Sequence, residues 1–100
     1  MHFLLFYELH PECLERRAPH RAEHLRLAWA ASERGELLLG GPYTDPLEGA
    51  ALLFKCESAE TPERFAAADP YVKHGVVTRY WVRGWNTVVG PYATSPVRLE

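Results

Sequence analysis

The stretch Ala67-Ala68-Asp69-Pro70-Tyr71-Val72-Lys73-His74-Gly75-Val76-Val77 decides the course of the second half of the chain and contains one of its two aspartates. An alanine-rich helical run stops at Pro70, because proline disfavours helical backbone in the residue before it. A β-branched run, which is typical of a strand, begins at Val76. We therefore expect the carboxylate of Asp69 at a helix-to-strand junction, a kind of position that often carries functional groups.

The segments on either side of this junction carry clear helix and strand signals. Before it, Ser58 or Thr61 can cap a helix, and Pro62 is tolerated in its first turn. This helix is predicted to run to Ala68. After the junction, residues Val76–Trp85 alternate valine, arginine and aromatic side chains over the two faces of a predicted strand.

The first third of the chain predicts a strand followed by a helix. Residues His2–Leu9 are almost continuously apolar, and so short a run of β-forming residues favours a strand buried on both faces. A proline-containing loop then leads into a helix that starts near Leu14 or Pro19, and Gly35 ends this helix. Its apolar stripe recurs at helical spacing and consists of His24, Leu27, Ala28 and Ala31, widened on one flank by Leu25 and Trp29.

Two short apolar runs in the middle of the chain predict neighbouring strands. The run Glu36–Pro42 is closed by two glycines and a proline, so we expect a strand that ends there in a tight loop. The loop continues over Tyr43–Glu48. Gly49 opens a second run, Ala50–Glu57, which suits an antiparallel neighbour. The side chains expected on its core face are Ala50, Leu52, Phe54 and Cys56.

The order of the predicted elements is β, α, β, β, α, β, which is the arrangement of ferredoxin-like α+β folds. Two helices then cover one face of an antiparallel sheet, while the other face still carries apolar and aromatic side chains. A chain of 100 residues forms one domain with little surplus core, so association would help to bury this second face. We therefore expect a homodimer, or a higher even oligomer, with two sheets packed face to face.

The C-terminal segment differs in composition from the rest of the chain. After Asn86 it contains three more valines together with Gly90, Pro91 and Pro96, a pattern typical of a short edge strand followed by a loose end. We assign residues 1–90 to the domain and residues 91–100 to a C-terminal tail.

Composition argues against several kinds of partner. A net charge of −2 and a pI near 6.2 give no clustered basic face for nucleic acid, and glutamates interleave with the arginines around Arg16. Cys13 and Cys56 match no metal or redox spacing, which favours a reduced, cytoplasmic protein without a cofactor. The chain start lacks the features of a secretory signal, and no apolar run reaches membrane-spanning length. We therefore expect neither nucleic-acid binding nor membrane association.

Histidines and arginines near the start of the first helix raise two further questions. His20 and His24 have the i, i+4 spacing that can place two imidazoles on one metal ion, but no third ligand is evident, so we expect no metal. Arg17 and Arg21 lie about one turn apart and can attract an anionic group of a substrate. Arginines at a helix start are also often solvated or ion-paired, so this pattern leaves both roles open.

Several short motifs together resemble the YCII-related family. They span roughly Phe3–Val88 and are Leu14-Glu15-Arg16-Arg17, Arg21-Ala22-Glu23-His24-Leu25, Gly35, Gly41-Pro42, Gly49, Asp69-Pro70-Tyr71 and Gly75. The resemblance implies a dimeric α+β barrel built from ferredoxin-like protomers. It also implies a pocket in which the histidine of the first helix, here His24, meets the aspartate of the Asp-Pro-Tyr motif, here Asp69. The loop Tyr43–Glu48 is shorter than in longer family members, which leaves the pocket size and the substrate open.

These residues predict an enzyme that uses acid–base chemistry, such as isomerisation, elimination or hydrolysis, on a small anionic or aromatic molecule. A histidine oriented by a carboxylate can exchange protons near neutral pH, so we assign His24 as the acid–base group and Asp69 as its orienting partner. The residues assigned to substrate binding are Arg21, Tyr71, Gly41 and Pro42. Two alternatives stay open: a non-catalytic module that binds a small ligand or a partner through its dimer surface, and a purely structural pair of His24 and Asp69.

Overall fold

The computed structural model describes residues 1–99 of the chain and confirms the predicted ferredoxin-like α+β order. Its strands are β1 (His2–Leu9), β2 (Leu37–Tyr43), β3 (Gly49–Lys55) and β4 (Val77–Trp85). Its α-helices are α1 (Cys13–Arg17), α2 (Arg21–Glu33), α3 (Glu60–Ala68) and α4 (Pro70–Lys73). A 3-10 turn over Ala18–His20 joins α1 to α2. The short helices α1 and α4 are additions to the predicted βαββαβ plan.

The four strands form one antiparallel sheet in the order β2-β3-β1-β4. Strand β1 is central, and its Leu5 lies opposite Leu52 of β3 on one side and Val82 of β4 on the other. Because side chains alternate along a strand, Phe3, Leu5 and Tyr7 share one face, and all three are buried. This face is the floor of the core.

Helices α2 and α3 both cover that face. Ala31 of α2 is fully buried, and Phe65 of α3 packs edge-on against Phe54 of β3 with ring centroids 5.4 Å apart. Full burial of one such side chain contributes roughly 1.5–3 kcal/mol. Leu25 and Trp29, which we expected to widen the buried stripe of α2, are instead 39% and 65% exposed, because no element of residues 1–99 covers that flank.

Strand β2 extends further than the sequence indicates. The expected end of the strand at Gly40-Gly41-Pro42 is wrong, because β2 continues through these residues to Tyr43. Gly40 packs closely on β3, where an added Cβ would lie 3.2 Å from the Cγ atom of Leu52. Pro42 is compatible with the strand because β2 is an edge strand, where proline's missing N–H can be tolerated.

The segment after Asp69 and the C-terminal segment also differ from the sequence predictions. Pro70 starts the short helix α4, where the sequence indicated only a connection to the next strand. The expected edge strand after Asn86 does not form within residues 86–99. That segment folds back on itself instead, through backbone hydrogen bonds from Ser95 to Thr87 and from Val97 to Val88.

One side-chain hydrogen bond links the two ends of the domain. The Oγ1 atom of Thr87 lies 2.8 Å from Nδ1 of His2, at the start of β1. The proposed division between domain and tail after residue 90 stays a prediction, and Glu100 of that tail lies outside the described residues.

The second face of the sheet carries apolar side chains that are only partly covered. Leu39 and Tyr43 of β2 and Trp85 of β4 are 73%, 44% and 48% exposed. Phe6 and Trp81, which stack at 5.5 Å between ring centroids, are partly buried on the same face. None of the helices within residues 1–99 has the length and apolar character needed to cross a membrane.

Candidate active site

Asp69 lies between two helices, as the C-cap residue of α3 and the N-cap residue of α4. Its backbone is extended (φ −71°, ψ 122°), so it ends α3 and at the same time caps the start of α4. Oδ1 accepts a hydrogen bond from the backbone N–H of Tyr71 at 2.9 Å, and Pro70 occupies the first helical position, where its missing N–H costs nothing. The side chain is fully buried, so its two oxygens depend on protein groups for their hydrogen bonds.

Three groups donate hydrogen bonds to the Asp69 carboxylate. Besides the Tyr71 N–H, the hydroxyl of Tyr7 donates to Oδ2 at 2.7 Å. Nδ1 of His24 lies 2.8 Å from Oδ1 and 3.0 Å from Oδ2. An ionised carboxylate only accepts hydrogen bonds, so Nδ1 of His24 must carry the hydrogen. Nε2 is then the nitrogen that can take up a proton, and it has no hydrogen-bond partner within residues 1–99.

The ring of His24 is also held by an aromatic neighbour. It stacks on the ring of Tyr71 with centroids 3.8 Å apart and an interplanar angle of 6°. A second stack beside it pairs His20 with His74 at 4.1 Å and 3°. The first stack joins α2 to α4. The second joins the residue just before α2 to the residue just after α4. The His24 side chain is 16% exposed, so its ring orientation is fixed while one edge stays accessible.

Burial sets the protonation of the two tyrosines at the site. Desolvation, followed by the adjacent Asp69 carboxylate, raises the pKa of Tyr7 far above its ordinary value, so Tyr7 stays protonated and donates to Asp69. Desolvation also raises the pKa of Tyr71, while the guanidinium groups of Arg17 and Arg21 act in the opposite direction. The positive field of both arginines therefore reaches the Tyr71 side chain.

His24 and Tyr71 line a cavity of about 440 Å³ between α2, β2 and the core face of the sheet. This volume is within the range of small-molecule sites. Its lining includes the polar or charged side chains of Arg17, Arg21 and Cys13. It also includes an apolar set from α2 and β2, which consists of Leu25, Trp29, Leu38, Gly40, Gly41 and Pro42.

The structure brings most of the sequence-predicted residues to this one cavity. His24, Arg21 and Tyr71 line it, as does the Gly41-Pro42 pair, and Asp69 lies directly behind His24. Sequence reasoning missed Tyr7, which both lines the cavity and holds Asp69. The available signal was that Tyr7 alone carries a hydroxyl on the core face of β1, and a buried tyrosine hydroxyl usually needs a partner. Within residues 1–99 no three His, Cys, Asp or Glu side chains form a group that could hold a metal ion.

The fold and the site together define a ferredoxin-like α+β domain with a histidine–aspartate pair at the wall of a small-molecule-sized cavity. The chain belongs to the YCII-related family, since the YCII-related domain matches residues 1–86. The resemblance noted from the sequence motifs is thereby confirmed.

Curated relatives and solved structures agree with this family and fold. Protein YciI of Escherichia coli O6:H1 and Protein YciI of Shigella flexneri are each 29% identical over 97 residues, which cover 88% of this chain and 99% of the relative. The fold is similar to that of 5-chloro-2-hydroxyhydroquinone dehydrochlorinase (TftG) from Burkholderia phenoliruptrix AC1100, solved in complex with 2,5-dihydroxybenzoquinone. The TM-score is 0.73 at 26% identity, with 87% of this chain and 95% of that chain covered. Protein Atu4242 from Agrobacterium tumefaciens shares the fold at a TM-score of 0.56 and 12% identity, over 93% and 96% of the two chains.

Proposed function

We propose that this protein is an enzyme that transfers protons on a small organic molecule, with His24 as the acid–base group. The observation that carries the proposal is the fixed Nδ1 contact of His24 with buried Asp69, which leaves Nε2 as the free nitrogen of a ring at the cavity wall. A carboxylate that fixes the tautomer and stabilises the imidazolium makes histidine an effective base near neutral pH.

The reaction favoured for this site is an elimination or an isomerisation on a hydroxylated ring. Nε2 of His24 takes a proton from the substrate, and in an elimination the released electron pair forms the new double bond while a leaving group such as chloride departs with its bonding pair. The imidazolium then returns its proton to water. TftG, which has the same fold at 26% identity, is a dehydrochlorinase and supports this class of reaction.

The remaining predicted residues receive binding roles in this proposal. Tyr71 supplies a flat wall beside His24, because their rings are already stacked. Gly41 and Pro42 shape the opposite side of the cavity, where small or rigid residues leave room for a ring. Arg21 attracts an anionic oxygen of the substrate.

We further propose that the protein acts as a cytoplasmic homodimer. The half-exposed apolar side chains on the second face of the sheet support the dimer, because a second copy of that face would remove them from water. The two unpaired cysteines, one of them buried, are compatible with a reducing compartment.

Replacement of His24 by glutamine tests the catalytic role. With 5-chloro-2-hydroxyhydroquinone as the first substrate offered, we expect the unaltered protein to release chloride and His24→Gln to be slower by about 10²–10⁴-fold, the usual contribution of general acid–base catalysis. Chloride release is followed with an ion-selective electrode, and far-UV circular dichroism checks the fold. His10→Gln is the control, because His10 does not line the cavity.

Three results would count against the proposal. His24→Gln with the turnover of the unaltered protein would remove His24 from the chemistry. Saturable binding without turnover, across chlorinated and non-chlorinated hydroxyquinols, would support the non-catalytic ligand-binding module instead. Circular dichroism showing that His24→Gln fails to fold would favour the purely structural pair.

A further inference from the structure

Arg17 and Arg21 both line the cavity and lie on neighbouring turns of the chain. Arg17 is the last residue of α1 and Arg21 is the first residue of α2, with the single 3-10 turn between them. The four-residue separation brings both side chains to the cavity lining. Both guanidinium groups also act on the hydroxyl of Tyr71, which stacks on His24. Two positive charges therefore lie beside the acid–base residue.

Within residues 1–99 neither of these two arginines has an acidic partner, and they are the arginines that line the cavity. Three others are ion-paired, and the remaining four do not line it. Arg16 pairs with Glu12 at 3.6 Å. Arg34 and Arg64 pair with glutamates at 3.0 and 3.3 Å. Within residues 1–99, Arg17 and Arg21 form neither an ion pair nor a side-chain hydrogen bond. An arginine whose guanidinium N–H groups have no partner can bind a carboxylate or another oxyanion through two parallel hydrogen bonds.

Among the residues that the structure describes, no Asp or Glu side chain lines the cavity beside this pair. Asp69 is fully buried, and its two oxygens already accept from Tyr7, Tyr71 and His24. Glu12 of the preceding loop is paired with Arg16. The cavity lining therefore keeps an unbalanced positive charge that an anion from solution can offset.

The rest of the cavity has the opposite character. Leu25, Trp29 and Leu38 line it and remain 39%, 65% and 43% exposed. Exposed apolar groups that surround a cavity favour a ligand with an apolar body. A ligand that satisfies both sets of residues is apolar over most of its surface and anionic at one end.

We infer that Arg17 and Arg21 form an anion subsite, so that the cavity takes an aromatic acid or phenolate whose ring lies along the Leu25, Trp29 and Leu38 wall. The inference rests on the proposed function because it places the charged end of the substrate beside His24. Arg17 becomes a binding residue equal in importance to Arg21. Specificity then comes from charge at one end and from ring burial at the other.

Benzoate and its neutral counterpart benzamide test this subsite directly. In NMR titrations of the ¹⁵N-labelled protein, we expect benzoate to give saturable shifts of the Trp29 indole N–H and of the Arg17 and Arg21 signals. Benzamide should bind at least ten-fold more weakly, because it has the same shape without the charge. The preference for benzoate should fall at higher salt concentration, as expected for a partly exposed charge pair.

Matched variants assign the effect to the two arginines. Arg17→Gln and Arg21→Gln, singly and together, should reduce the preference for benzoate over benzamide, and the double variant should abolish it. Arg16→Gln is the control, because Arg16 is on the same helix as Arg17 but does not line the cavity. The single variants keep the test valid if the double variant does not fold.

The outcome of this experiment can be separated from the outcome for catalysis. His24→Gln should still bind benzoate, because binding at the arginines requires no proton transfer. Equal affinity for benzoate and benzamide, unchanged benzoate affinity in both single arginine variants, or no saturable shift in the unaltered protein would each overturn the subsite. None of these results depends on turnover, so His24 could still be the acid–base residue.

Discussion

Asp69 performs two structural tasks with one carboxylate. Oδ1 caps helix α4 through the Tyr71 N–H and also contacts Nδ1 of His24. The sequence pattern placed this residue at a helix-to-strand junction and the family resemblance placed it beside His24, and one carboxylate serves both positions. Any displacement of α4 therefore also displaces the carboxylate that orients His24.

Tyr7 is the residue whose removal isolates one part of this network. Tyr7→Phe keeps the ring but removes the one group within residues 1–99, apart from His24, that donates to Oδ2 of Asp69. Because the carboxylate is fully buried, we expect a loss of about 1–3 kcal/mol in the free energy of unfolding. Urea denaturation followed by circular dichroism measures it.

A neighbouring tyrosine provides the control for this prediction. Tyr80 lies opposite Tyr7 on β4 and is 37% exposed, and its hydroxyl has no hydrogen-bond partner in the described part of the chain. Tyr80→Phe should change the unfolding free energy by no more than about 0.5 kcal/mol. Equal effects of the two substitutions would mean that the contact between Tyr7 and Asp69 contributes nothing specific.

The Tyr7 contact marks the limit of what the sequence could predict for the site. Periodicity placed Tyr7 on the core face of β1, but its partner Asp69 is 62 positions away in the chain. The meeting of His24 with Asp69, 45 positions apart, was expected only through the family resemblance. Hydrophobic patterns specify which face a residue occupies, and they carry no information on which distant residue it meets.

At the level of elements, agreement with the sequence depends on how regular each element is. The bounds of β1 were predicted correctly, because eight consecutive residues carry a consistent β signal. The end of β2 was predicted wrongly, since Gly40 packs closely on Leu52 and the strand continues through both glycines without a turn. Helix α4 has only four residues, too few to show a helical period.

The connection from α4 to β4 depends on a backbone conformation that suits glycine. Gly75 has φ +74°, which other residues adopt only with strain. We expect Gly75→Ala to lower the free energy of unfolding by about 1 kcal/mol or more. Thermal and urea unfolding of the two proteins provide the measurement.

Gly84 in β4 is the matched control for Gly75. Its φ lies outside the left-handed region, and an added Cβ would make an ordinary contact of 3.8 Å with Phe3. Gly84→Ala should therefore stay within about 0.5 kcal/mol of the unaltered protein. A Gly75→Ala protein as stable as Gly84→Ala would show that the connection relaxes without strain.

At the scale of the whole molecule, the exposed apolar side chains on the second face of the sheet favour association with a second copy. Leu53 lies near the middle of this face, between Leu4 of β1 and Leu39 of β2. If two copies pack there, Leu53→Glu places two unpaired carboxylates in an apolar interface. We expect the dissociation constant of the dimer to rise by at least about 100-fold, which corresponds to roughly 3 kcal/mol. Sedimentation velocity over a range of concentrations measures this constant.

A leucine away from the sheet separates this effect from a general effect of added charge. Leu14 of α1 is 57% exposed, so Leu14→Glu should leave the association unchanged. The proposal of a face-to-face dimer would be contradicted if the unaltered protein were monomeric, or if both variants had the same dissociation constant.

The order of strands and helices was predictable because each long element has its own period. The assembly stays a prediction, which rests on the need to cover an apolar face.

The hydrogen bond between His2 and Thr87 has a consequence for engineering the domain. It joins the two ends of the fold at the start of β1, whereas Tyr7, near the other end of that strand, lines the cavity. In a chain shortened to residues 2–87, a short linker across this bond would permit circular permutation, with new ends opened at the exposed turn residues 44–46. Because that turn directly follows the cavity-lining Pro42, a fluorescent protein fused there would stand beside the cavity mouth and convert ligand occupancy into an optical signal.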